Sequence, residues 1–329
     1  RRHAAARRDG EAARLALAFV RVPGNEPPDG AEEHWLEGRG GVKVRVLTAP
    51  STRGQARGSV IVAPGRTEFI EKYFEVIREL QARGFAVFCI DWRGQGLSGR
   101  EVENSLKGHF VSFDDPVNDL STALMLLSDR LPRPYIGLAH SMGGAITLRA
   151  LMTRRVEYDA AAFSAPMWGI PNLTDVAKKY VRFMVSLGAG GQFAPNVEKK
   201  WKRENFKKNP VTHDKARHDR CQGLIAEEPR LALAGPTNGW VAAAADATEA
   251  FRQPGALAHV RIPILVATAG EEQLVDNAAQ EAVVHELPDV RHITIEGAKH
   301  EILMEVDPIR TQFWEAFDQL VERVVPARV

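Results

Sequence analysis

The sequence predicts an α/β fold: a mostly parallel, doubly wound sheet carrying an inserted helical cap. Three observations lead there. From residue 59 onward, short apolar runs alternate with amphipathic segments, a rhythm that implies parallel strands joined by right-handed helical crossovers. At 134–151 the stretch PYIGLAHSMGGAITLRAL carries an apolar run into a cluster of small residues around Ser141 and on into a helix pattern. Between 168 and 258 the alternation stops and only helical patterns remain. In an open α/β sheet such an insertion covers the carboxyl ends of the strands, where ligands bind. The expected organisation is an N-terminal extension at 1–41, a core at 42–167 and 259–329, and a helical cap at 168–258.

The elements follow in order. Residues 1–41, rich in Arg, Gly, Pro and Glu, read as a loose lead-in with at most one short helix. The alternation VKVRVLT sets Val42, Val44 and Val46 on one face and Lys43 and Arg45 on the other, which predicts a half-buried antiparallel strand at a sheet edge. SVIVA at 59–63 is apolar throughout and runs into PGRTEF, a turn leading to a helix with Phe69, Tyr73, Val76, Ile77 and Leu80 on one side and a stop at Gly84. FAVFCI, from Phe85, reads as a strand buried on both faces, and DWRGQGLS as a glycine-rich loop. The next helix, DDPVNDLSTALMLLSDR, has Pro116 near its start and an apolar face of Val117, Leu120, Leu124 and Leu127. Strands at 160–163, 262–268 and around Ile293 complete the sheet. A last helix from Asp307-Pro308 turns Ile309, Phe313, Phe317, Leu320 and Val324 inward.

Composition narrows the class. With 329 residues, 44% hydrophobic and 26% charged, the chain is a globular protein of one main domain plus an insertion. Lys plus Arg at 43 against Asp plus Glu at 42 leaves a net charge of +1, so no global field selects nucleic acid. Cys89 and Cys221 are too few for a disulfide framework and read as free thiols of a reducing, cytoplasmic compartment. No apolar run approaches the roughly 20 residues that span a bilayer. The opening RRHAAARRDGEAARLALAFV lacks the sustained apolar segment of a secretory signal, and the missing initiator methionine leaves the true start open. His213, Asp214, His218, Asp219 and Cys221 suggest a metal site at first sight. The histidines stand five positions apart, however, which puts them on different helix faces, so no metal is expected.

A sharp strand-to-helix turn strains the serine backbone and crowds its neighbours, so Ala139, Gly143 and Gly144 must be small. Ser141 would then project as a nucleophile, with the Met142 backbone N–H facing the carbonyl under attack. A serine hydroxyl needs a base, and the base needs a third group to orient it. Downstream, the strand at 262–268 runs into AGEEQLVD, which offers Glu271, Glu272 and Asp276. The last strand runs into EGAKHEI, which offers His300. The order serine, acid, histidine fits such a sheet.

Together PGRTEF, DWRGQGLSG, AHSMGG, GPTNGW and GAKHEILME resemble the α/β hydrolases of the monoglyceride lipase and bacterial lysophospholipase group, over roughly residues 42–325. PGR in place of a histidine-glycine oxyanion loop, NPVTHDKAR in the cap and HEILME after the base resemble the lysophospholipase branch most. The resemblance implies Ser141 as nucleophile, His300 as base, and the backbone N–H groups of Arg66 and Met142 as oxyanion hole. It places the acid at Glu272, where the family carries aspartate, with Asp276 the alternative and Glu271 third. Ala139 and Pro64 are further departures. The implied reaction is hydrolysis of a carboxylic ester through an acyl-enzyme, a serine chemistry that needs no organic cofactor. The expected substrate is a lysophospholipid; the alternatives are monoacylglycerol or a smaller ester, with a proline-type aminopeptidase a more remote relative, and, in a different class, a non-catalytic binding role for the fold.

Other features carry plainer expectations. Glu68 and Asp91 are expected to hydrogen-bond structurally. Trp168, Phe183, Met184 and Trp240 are candidates for an acyl pocket. The run EKKWKRENFKKN sets six basic residues around Trp201 and Phe206, which suits peripheral contact with the inner membrane. Oligomeric state is not legible.

Overall fold

The computed structural model describes residues 19–325. Its centre is an eight-stranded sheet: β1 (Glu32–Glu37), β2 (Lys43–Ala49), β3 (Ser59–Ala63), β4 (Ala86–Asp91), β5 (Tyr135–His140), β6 (Ala160–Ser164), β7 (Ile264–Ala269) and β8 (Val290–Ile295). The spatial order is β1-β2-β4-β3-β5-β6-β7-β8. The two pairings made by β2 are antiparallel and the rest are parallel. Helices α1 (Phe74–Ala82), α2 (Asp114–Leu126), α3 (Met142–Met152), α7 (Asn277–Glu286) and α8 (Asp307–Val324) connect or close the strands. Between β6 and β7 lie α4 (Asp175–Ser186), α5 (Lys215–Glu227) and α6 (Asn238–Phe251). The sheet separates two apolar layers, one built on Phe88, Met142 and Phe163 and the other on Phe74, Phe85 and Phe317. That is why β3 to β7 read as continuous apolar runs.

Two expectations are corrected at the sheet's start. VKVRVLT is not an edge strand, because β1 pairs outside it, from Glu32 opposite Thr48 to Glu37 opposite Lys43. The sequence EEHWLE hides a strand because none of its residues is fully buried at the sheet margin and half are exposed. Nor is the lead-in loose over its described part. Phe19 stacks edge-on against Phe74 at 5.4 Å, and the Asn25 side chain donates to the Glu71 carbonyl. The remainder of that expectation, residues 1–18, lies outside the described residues.

Arg45, expected on the solvent face of its strand, is wholly buried. Its guanidinium donates to Glu33 at 2.6 Å, to Glu71 at 2.6 Å and to Asp91 at 3.1 Å. Asp91 also accepts the backbone N–H groups of Ile70 and Leu97, both at 2.8 Å, so one carboxylate links the end of β4, the approach to α1 and the glycine-rich loop. Removing the cation strands two buried carboxylates, a loss worth about 3–5 kcal/mol. Arg45→Met is therefore expected to lower the urea midpoint sharply; a midpoint near that of wild type would show that the cluster contributes little.

The segment between β6 and β7 is tied down by charge as well as by contact. Glu75 of α1 accepts from Arg217 of α5 at 2.6 Å, from Arg220 at 3.0 Å and from Arg310 of α8 at 3.4 Å. A backbone link runs from Glu301 N–H to the Val211 carbonyl, and the Thr212 hydroxyl donates to the Met304 carbonyl. The segment before α5 is thus sewn to the loop that carries His300.

Candidate active site

Ser141 sits between β5 and α3 at φ 50°, ψ −118°, a region that L residues rarely occupy. The surroundings hold it there. Its N–H donates to the Ser164 carbonyl at 3.2 Å, and its own carbonyl accepts from Met167 at 2.9 Å. The small neighbours have a direct reason: a Cβ on Gly143 would lie 2.0 Å from the Ala63 carbonyl oxygen, and one on Gly144 would lie 2.7 Å from the Pro166 Cβ. The turn fits only because β3 and the loop after β6 press against it.

The loop after β3 comes up on the other side of the serine. A Cβ on Gly65 would lie 3.2 Å from that of Ser141. Its carbonyls are held away from the site: Trp92 Nε1 donates to Pro64 O at 2.8 Å, and Gln95 Nε2 donates to Gly65 O at 2.7 Å. The Gly65 N–H donates to Glu68, which also accepts from the Tyr73 hydroxyl at 2.7 Å and pairs with Lys72 at 2.8 Å. Burial disfavours the Glu68 carboxylate, yet Lys72, His140 and these donors overcome it and pull its pKa to about 2. Pro64 thus stands where the loop is braced by side chains from the glycine-rich loop after β4 and from the turn before α1. Among the described residues, the N–H groups of Arg66 and Met142 have no protein acceptor.

His300 follows β8 and faces the same cavity as Ser141. Its Nδ1 lies 2.7 Å from Glu272 Oε2. The other oxygen of Glu272 accepts three backbone N–H groups, from Gln273 at 2.9 Å, Leu274 at 2.7 Å and Val275 at 3.2 Å. Burial opposes the charge of Glu272, but His300 and those backbone donors outweigh it and hold the carboxyl below its usual range. The structure places the other two acids elsewhere. Asp276 caps α7, accepting from Ala278 N at 2.9 Å and Ala279 N at 3.2 Å, while Glu271 is half exposed, 3.5 Å from His213. No Ser141–His300 hydrogen bond is formed among the described residues; such bonds commonly tighten only once substrate is bound.

The cavity over these groups has a volume of about 480 Å³. Met167, Ile170, Ile225, Leu233, Trp240 and Val275 give it an apolar wall, drawn partly from the helical segment between β6 and β7. Trp240 lies there because Thr237 caps α6, accepting its N–H at 3.2 Å, and His109 lies 2.8 Å from the Thr237 hydroxyl. The other three aromatic or sulfur candidates do not line the cavity. Trp168 is fully buried against Phe163 and donates to Gly144 O at 3.3 Å, so it fills the core beneath the elbow. Phe183 is 58% exposed on the outer side of α4, and Met184 is beside it.

Residues not singled out in the sequence also meet here. The His140 ring lies 4.7 Å from that of His300, and its Nδ1 is 3.0 Å from Ser164 O. Burial lowers the His140 pKa. Lys72 reaches under the loop to Glu301 at 2.5 Å as well as to Glu68. The i,i+4 spacing of Glu68 and Lys72 was the available signal; the link to Glu301 crosses 229 positions and left none.

A mostly parallel sheet with antiparallel pairings at one edge, a strained serine turn after β5 and a histidine loop after the last strand together make this molecule an α/β hydrolase. The chain belongs to the Hydrolase_4 family, described as serine aminopeptidase, S33, which matches residues 54–307. It is 34% identical over 274 residues to lysophospholipase L2 of Escherichia coli strain K12, covering 77% of this chain and 76% of that protein. It is 28% identical over 281 residues to the monoacylglycerol lipase of Mycolicibacterium smegmatis, covering 83% and 91%. Among solved structures, a soluble variant of monoglyceride lipase from Saccharomyces cerevisiae superposes with a TM-score of 0.70 at 17% identity, covering 89% of this chain and 96% of that one. A thermostable carboxyl esterase from Bacillus coagulans does so with a TM-score of 0.72 at 16%, covering 90% and 99%. At these identities the structural likeness speaks for the fold.

Proposed function

We propose that this chain, an ester-hydrolysing serine hydrolase, is a lysophospholipase that releases fatty acid from a lysophospholipid. The observation that carries the chemistry is His300, paired with Glu272 and opening on the same cavity as the strained Ser141. His300 Nε2 takes the Ser141 proton as Oγ attacks the ester carbonyl. The Arg66 and Met142 N–H groups receive the oxyanion, at roughly 3 kcal/mol per donor. The alcohol then leaves with the proton carried by His300, and water repeats the sequence on the acyl-serine. Glu272 keeps His300 in the tautomer that presents Nε2 to the serine. Likeness to lysophospholipase L2 over three quarters of the chain supports the substrate; the similarity to a monoacylglycerol lipase supports the neutral ester as the second reading.

The same reading includes peripheral contact with an anionic membrane. Lys199, Lys200, Arg203, Lys207 and Lys208 are exposed and have no carboxylate partner among the described residues. Val176, Tyr180, Phe183 and Leu187, at 78%, 45%, 58% and 63% exposure, form an apolar stripe along α4 and its end. Among the described residues no helix is long and apolar enough to cross a membrane.

With a fluorophosphonate probe the protein is expected to label. With matched acyl chains, kcat/KM for lysophosphatidylcholine is expected to exceed that for monoacylglycerol at least tenfold. The opposite ranking would transfer the assignment to monoacylglycerol, and an unlabelled folded protein would refute the catalytic reading. Co-sedimentation with phosphatidylglycerol vesicles but not phosphatidylcholine vesicles, weakened by salt, tests the membrane contact.

A further inference from the structure

The cavity wall holds three basic side chains that are charged at neutral pH, and two of them are already matched. Lys72 is held between Glu68 and Glu301. Arg217 is paired with Glu75 at 2.6 Å and with Asp214 at 2.7 Å. The third, Arg66, has no carboxylate within ion-pair distance among the described residues. Its Nη2 donates to the Ala234 carbonyl at 2.7 Å, its Nε is buried without a partner, and its guanidinium stands over the Trp240 ring at 5.3 Å. Burial alone pushes its pKa down to about 10, so keeping this cation on the wall it shares with Ser141 costs free energy that no anion among the described residues returns. The acids on the same wall do not supply one: Glu68 and Glu301 belong to Lys72, and Glu204, half exposed, is 3.8 Å from His218.

We infer that the Arg66 side chain is the group that recognises the phosphate of the substrate, its planar fork taking two phosphate oxygens while its backbone N–H faces the oxyanion. The inference rests on the lysophospholipase reading and deepens it, because a neutral monoacylglycerol offers the guanidinium no charge to pair with. Arginine suits this role because its donors match a phosphate edge-on and stacking on Trp240 orients the fork before the ligand arrives. One residue would then couple headgroup recognition to the oxyanion loop, so that an ester lacking phosphate is bound without that alignment.

The test compares wild type, Arg66→Met and Arg66→Lys on lysophosphatidylcholine and monoacylglycerol of the same acyl chain, with thermal melts to confirm folding. Arg66→Met can slow both substrates through the loop it belongs to, so the readout is the ratio of the two kcat/KM values. That ratio is expected to fall about 10- to 100-fold, the worth of a lost charge-assisted contact, with Arg66→Lys recovering part of it. An equal loss on both substrates would make Arg66 a brace for the loop and overturn the inference.

A second arm needs no variant: glycerol 3-phosphate should compete with a short neutral ester where glycerol does not. Inhibition no better than glycerol's overturns the inference even if lysophospholipid is cleaved. Inorganic phosphate competing as well as glycerol 3-phosphate, with an unchanged substrate ratio in Arg66→Met, overturns the headgroup assignment in favour of a free-anion site. Wild type that cleaves only the neutral ester is instead the failure of the lysophospholipase reading, and the inference falls with it.

Discussion

Ser141→Ala is expected to abolish fluorophosphonate labelling and to reduce kcat by about a millionfold, the scale on which loss of a nucleophile acts when base and acid remain. The fold should survive almost unchanged. The serine hydroxyl makes no hydrogen bond to a protein group among the described residues, and the elbow is held by backbone contacts to Ser164 and Met167 that alanine retains. Stability should therefore stay within about 0.5 kcal/mol of wild type. Titration with the probe, kinetics on a chromogenic ester and a thermal melt of one preparation would check all three statements. Residual turnover near the wild-type rate in a clean preparation would mean that another group attacks the ester.

Replacing Glu272 by Gln should cost about 10⁴-fold in kcat, because an amide that turns its NH2 toward His300 favours the tautomer that offers the serine a hydrogen where it needs a lone pair. Asp276→Ala is the paired control. It removes a helix cap worth about 1 kcal/mol, so its loss should appear in the melt and hardly at all in kcat. The reverse pattern would move the acid's role to Asp276. The pH dependence has a definite sign. The folded-state pKa of Glu272 lies below its usual value of 4.5. Its contribution to stability is therefore complete above that value and is lost as the pH falls through the folded pKa. Inactivation in mildly acidic buffer should thus not come from neutralising Glu272.

The elbow was legible in the sequence because its constraints are local. A strained serine between a strand and a helix demands small neighbours within three positions, and the chain spells them out as Ala139, Gly143 and Gly144. The strands buried between helices were legible for a similar reason, since a segment covered on both faces has no solvent side to break its apolar run. β1 lacks that signal: lying at the margin, it keeps Glu32, Glu33 and Glu37 and looks like linker. Arg45 misled for the opposite reason, because an alternating pattern assigns a charged side chain to water. Here Glu33, Glu71 and Asp91, which come from three separate elements, take water's place.

The choice among Glu271, Glu272 and Asp276 could not be made from spacing. All three follow the same strand, and any of them could reach a histidine whose loop geometry is unknown. Tertiary structure places them by giving Asp276 the start of α7 and leaving Glu272 to be held by three N–H groups and turned toward His300. The cap aromatics divide in the same way. Trp168, Phe183 and Trp240 are alike in composition, yet one fills the core, one faces outward and one lines the cavity, according to how α4 and α6 settle on the sheet. By itself the sequence determined the layered fold and the presence of a serine, a histidine and a short list of acids at one sheet edge, because local sterics and burial write those directly into residue type. Only the tertiary structure decided which acid meets the histidine, which cations are matched and which side chains wall the cavity, because those outcomes depend on the meeting of segments far apart in the chain, whose mutual distances no local pattern records.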